Sequence, residues 1–116
     1  MKPQDTITIA PSVLITIAKA AATDIGGVVR MGAVPVDVSR LLTRNTVGSG
    51  IILDIEGKSV SLDMYLVVAH GANMRDVSHE VQSAVTRSIQ DLVGMKVNRV
   101  NVHIEDVDMS DGESSS

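Results

Sequence analysis

The segment from Ser59 to Val68 constrains the fold more than any other. Val60, Leu62, Met64, Leu66 and Val68 alternate with Ser59, Ser61, Asp63, Tyr65 and Val67. Successive strand side chains point to opposite faces, so this period of two specifies a β-strand with one apolar face. That face must be buried against another layer. The opposite face is then either wet or covered by a partner.

The neighbouring segments extend the sheet. Ile51, Leu53 and Ile55 share one side, with Ile52, Asp54 and Glu56 on the other. Gly57-Lys58 joins the two runs as a two-residue hairpin. A last strand is expected from about Val97 to Ile104, with Val100, Val102 and Ile104 inward and Asn101, His103 and Glu105 outward. Thr6-Ile7-Thr8-Ile9 reads as a short first strand with both isoleucines inward. Val28-Val29-Arg30-Met31 is a further short strand candidate.

Two helices carry the other periodicity. Pro11 suits a first helical position, and Leu14, Ile17, Ala18, Ala21 and Ile25 follow at helical spacing up to a stop at Gly26-Gly27. Asn73 caps a second helix, with Asp76 near its positive end. Its buried stripe is Val77, Val81, Ala84, Val85, Ile89 and Leu92, and Gly94 ends it. Asp37 is expected to cap a short helix through Val38, Leu41 and Leu42, and Gly48-Ser49-Gly50 reads as a turn.

The expected architecture is α+β: a small mixed sheet in β-α-β-β-α-β order, with two main helices on one face. With 116 residues the chain makes one domain, over residues 1–107. Residues 108–116 read as a disordered acidic, Ser-rich tail.

Composition narrows the function. The chain has no Cys, so disulfides and thiolate metal sites are excluded, which fits a reducing compartment. No signal peptide and no membrane span is expected. A net charge of -4 and a single aromatic residue, Tyr65, argue against a surface that binds phosphates and stacks bases.

No pattern points to catalysis. His79-Glu80 lacks the second His of a zinc protease helix. His70, His79 and His103 read as solvated or locally hydrogen-bonded. Asp54, Glu56, Asp63 and Glu105 could share the open face, but without a cation-loop spacing. No cofactor is expected. Arg30, Arg40 and Arg44 form a local basic bias, read as a solvated loop or as a contact for acidic lipid or an acidic partner. Tyr65 on the polar face is either an interface anchor or a ring covering the sheet edge or packed under the tail. The candidate interaction surface is Tyr65 with Asp63, Val67, Ile52 and His103, together with the three arginines.

The order of these motifs has a likeness. It begins with Thr6-Ile7-Thr8-Ile9-Ala10-Pro11 entering a helix, then Ala21-Ala22, Ile25 and Gly27-Val28. It continues with Val68 through Gly71, Asn73, Val77, Val81-Gln82, Val85, Ile89 and Gly94-Met95. It closes with Val97 and Val100-Asn101-Val102-His103-Ile104. In this order the chain resembles the alkaline shock protein family of bacterial envelope stress response proteins, over about Thr6 to Val107. Val28 to Gly48 departs most from that pattern, and His70 stands where an aromatic is expected. The resemblance implies a cytoplasmic protein of cell envelope homeostasis without catalytic residues. It implies self-association, or a small membrane-anchored partner that brings the protein to the membrane. A small nucleic-acid-binding module and a metal-dependent enzyme are the alternative functions.

Overall fold

The computed structural model describes residues 7–40 and 45–110. Their elements are α1 (Pro11–Thr23), β1 (Val28–Met31), α2 (Val36–Arg40), β2 (Thr46–Gly48), β3 (Ile51–Glu56), β4 (Ser59–Ala69), α3 (Met74–Val93) and β5 (Lys96–Asp108). The class is α+β, and the sheet is mixed. β5 runs parallel to β4, while β1 and β3 pair with β4, and β2 with β3, antiparallel. A parallel neighbour needs a crossover, and α3 supplies it.

The alternating run is the axle of this sheet. β5 follows one edge of β4 from Ser59 to Ala69. The other edge is shared end to end, by β3 along Ser59 to Met64 and by β1 along Leu66 to Val68. Tyr65 sits at the seam, where its N–H donates to Gly50 O at 2.8 Å and its carbonyl accepts from Gly32 N at 2.7 Å. Gly50 adopts φ 75°, and a Cβ there would lie 2.3 Å from Gly32 O. The seam therefore closes only around a glycine.

The inner face of β4 behaves as its pattern demands. Val60, Leu62, Met64, Leu66 and Val68 are all 0% exposed. They pack with Ile51 and Leu53 of β3, Val100 of β5, Leu14, Ile15, Ala18 and Ala22 of α1, and Val77, Val81, Val85 and Ile89 of α3. Both long helices thus lie on one face. Asn73 Oδ1 accepts from Asp76 N at 3.0 Å, and Gly94 closes α3 in the left-handed region, as expected of a cap and a stop.

Several expectations need correction. Residues 7–9 form no strand, and Ile7 is 88% exposed. β5, β3 and β1 take both edges of β4, and residues 7–9 pair with none of the strands. Thr6 lies outside the described residues. The first strand is instead β1, and the sequence reading lacked β2. α1 ends at Thr23 on an Asp24 N–H bond to Ala20 O, three residues before Gly26. Gly27, at φ 100°, instead turns the chain into β1, and its carbonyl accepts from Ala69 N at 2.8 Å. Leu92 is 71% exposed. The α3 stripe keeps strict four-residue steps to the half-buried Val93, which turns Leu92 about 100° away. Asp37 lies in the first turn of α2, and Leu41 and Leu42 fall outside the described residues. β5 runs on through Asp108, the residue expected to open the tail. Residues 111–116 lie outside the described residues.

Candidate functional site

Parallel pairing sets the chemistry of the outer sheet face. Asp63 of β4 is in register with Asn101 of β5, and Tyr65 with His103. Paired residues share a face, so these four side chains come together on the side away from the helices. The Tyr65 and His103 rings stack, with centroids 4.5 Å apart and planes 15° from parallel. His103 Nε2 lies 2.9 Å from Asp63 Oδ1, and Asn101 Nδ2 donates to the same oxygen at 3.2 Å. A carboxylate only accepts, so Nε2 carries the proton in this bond. The pair is part-buried: His103 is 42% exposed and Asp63 35%.

Two further contacts cross β4 on this face. Glu105 Oε1 reaches from β5 to accept from Ala33 N at 3.2 Å. Arg30 of β1 reaches Asp108 of β5 at 3.3 Å. Hydrogen bonds from the Ser110 hydroxyl, at 2.6 Å, and from Ser110 N–H, at 2.9 Å, are the main reason that the Asp108 carboxyl is held below its ordinary range. The Arg30 cation adds to them.

These contacts sort the sequence-predicted residues. Tyr65, Asp63 and His103 form one cluster. Val67 lies in register with Arg30 and Asp106, under the crossing contacts, and is only 3% exposed. Ile52, in register with Val47 and Asp63, is 4% exposed. Neither offers surface to a partner, contrary to the expected contact area. Arg30 is tied to Asp108. Arg40 stands exposed in the last turn of α2, and Arg44 lies outside the described residues. His70 and His103 do not meet, because His70 N donates to Asp108 O, well along β5 from His103.

Among the described residues no three His, Asp or Glu side chains come together as metal ligands. No described helix is long and apolar enough to cross a membrane. The sequence reading missed Asn101 and the crossing contacts of Glu105 and Arg30. Their common signal is the β4–β5 register, which a single sequence leaves open because the intervening helix does not fix it.

The face formed by this register belongs to a fold with known relatives. A family model for the alkaline shock protein 23 family, described as having a cell envelope-related function, matches residues 1–109. The chain belongs to that family. It is 28% identical to the Bacillus subtilis (strain 168) protein YloU over 104 residues, 87% of each chain. It is also 28% identical to YqhY of the same organism over 99 residues, 84% of this chain and 73% of YqhY. In three dimensions it is similar to MamM-CTD 215-293, with TM-score 0.51 and 15% identity, over 84% of this chain and 99% of the other. That likeness is one of fold.

Proposed function

We propose that this member of the alkaline shock protein 23 family is a non-enzymatic protein of cell envelope homeostasis that acts through protein contacts. It works in the cytoplasm, self-associated or held at the membrane by a small anchored partner. The contact face is the outer side of β4 and β5 around Tyr65, His103, Asp63 and Asn101.

The pre-formed Tyr65–His103 stack is the observation that carries this reading. A ring already held against a second ring, itself bonded to a carboxylate, loses little freedom on binding, and such fixed aromatics are the usual anchors of interfaces. The family's cell envelope-related function supports the setting. The carboxylate beside the stack disfavours a phosphate backbone, which argues against the RNA-binding alternative.

Capture of tagged protein from its own cells, with solubilised membranes retained, tests the proposal. The expected prey is a small membrane protein whose recovery falls at least about tenfold with Tyr65→Ala, a loss of roughly 1.4 kcal/mol, with or without further copies of this chain. Prey dominated by ribosomes and RNA, or recovery indifferent to Tyr65→Ala, overturns it.

A further inference from the structure

β5 is the longest strand, yet among the described residues no strand pairs its far edge. Its backbone phase can be followed from its ends. Lys96 N donates to Lys58 O and Asp108 O accepts from His70 N, so both ends bond toward β4. The register skips one β5 residue at Asn98 and one at Glu105. Each skip shifts the alternation by one. The polar groups of Val100, Val102 and Ile104 therefore point to the open side, where the Val100 carbonyl accepts from Gln82 Nε2 of α3 at 3.0 Å, a side-chain bond that a pairing strand displaces. A long edge of this kind is a template for another strand.

The charges on β5 say which strand fits. Lys96 and Arg99 occupy its first half, and Glu105, Asp106 and Asp108 its second. A parallel copy would set like charge against like, and an antiparallel copy sets each basic half against an acidic one. The skips bracket Val102 evenly, at Asn98-Arg99 on one side and Glu105-Asp106 on the other. With a twofold axis at Val102, Val100 falls opposite Ile104, and Val97 opposite Val107. All four pack against the core on the inner face. Lys96 falls opposite Asp108, both in register with outward residues of β4 or its hairpin. The mirrored skips keep inner residues facing inner residues along the whole length, as a self-complementary interface requires.

We infer that the free edge of β5 pairs antiparallel with β5 of a second copy, centred on Val102, joining two sheets into one. This deepens the self-association reading above by naming its surface and register. The pairing uses the edge and leaves the Tyr65–His103 stack on the open face.

Two charge-swapped chains test it. One carries Arg99→Glu and the other Glu105→Lys, two residues that fall opposite each other across the axis. Alone, each sets like charges across the axis; mixed, they set opposite charges across it. In sedimentation from about 1 µM to about 500 µM the wild type is expected to dimerise. Each swapped chain alone should weaken that at least about tenfold, and an equimolar mixture should recover it. The wild type also gives a readout independent of any variant: exchange of the Val100, Val102 and Ile104 amides should slow as concentration rises. A monomeric wild type with no such slowing overturns the proposal, as does a mixture that stays monomeric although both chains melt like the wild type. If that monomeric wild type still captures a Tyr65-dependent partner, the contact face stands and only the edge pairing falls.

Discussion

β4 presents two faces to two different environments. Its inner side chains are fully buried aliphatics whose role is filled by shape and volume. Its outer side chains run from the buried Ser61 through the hydrogen-bonded Asp63 and the stacked Tyr65 to Val67 beneath crossing contacts. The inner face holds the sheet to the helices by burial, which is large and indifferent to identity within the aliphatic class. The outer face gains little stability from any one contact but fixes where an aromatic ring points. The same strand thus separates what keeps the protein folded from what it shows to a partner.

Leu62→Ala should produce the largest effect and the clearest separation. Leu62 is fully buried, and its truncation should cost about 2–5 kcal/mol, read as a fall in the urea midpoint. Material that remains folded should still capture the Tyr65-dependent partner. Lost capture by the folded fraction would show that the two faces are coupled through the strand.

The seam comes next. Gly50 and Gly57 both have φ near the left-handed region, at 75° and 60°. They differ in space: a Cβ on Gly50 meets Gly32 O, and a Cβ on Gly57 meets nothing within 4 Å. Gly57→Ala should therefore cost about 1 kcal/mol, the conformational penalty alone. Gly50→Ala should cost more, about 2–3 kcal/mol, because backbone must also shift. It should also move the Tyr65 amide, which donates to Gly50 O, in an amide NMR spectrum. Equal costs at the two glycines would mean that the junction of β1 and β3 is not held tightly around Tyr65.

These two tests also mark what the sequence could convey. The inner face was legible because period two in β4 and four-residue steps in α3 are direct consequences of strand and helix geometry. The caps at Asn73 and Gly94 were legible for the same local reason. Residues 7–9 show the limit, since alternation alone does not make a strand and the segment pairs with no edge of the sheet. β2 was too short to show a period. On the outer face Tyr65, Asp63 and His103 were each identifiable as outward. Their meeting depends on a parallel register set across α3, with two skips that no local pattern announces. Val67 and Ile52 were misjudged because burial on an outer face comes from neighbours brought there by the register.

His103→Ala should cost less than about 1 kcal/mol, because its bond to Asp63 is part-exposed and its stacking partner remains. Capture should nevertheless fall as with Tyr65→Ala, since the ring loses the surface that holds it. A variant that captures normally would show that Tyr65 is positioned without its neighbour.

The smallest effect is expected at Asp108, and its sign can be fixed. Bonds from Ser110 chiefly, with Arg30, hold the folded carboxyl below its ordinary value. A group lowered on folding contributes stability that is present above its unfolded value, about 3.9, and is lost as pH falls through the folded one. Asp108→Asn should therefore lower the urea midpoint slightly near neutral pH, and the difference from wild type should shrink as pH falls through the folded value. Arg30→Ala should remove the smaller part of that difference, because Arg30 follows Ser110 among the causes. A larger loss from Arg30→Ala at neutral pH would assign the stabilisation to the contact crossing over Val67 rather than to the local turn at Ser110. The outer face would then contribute to the fold as well as to recognition, and the division between the two sides of β4 would have to be redrawn there.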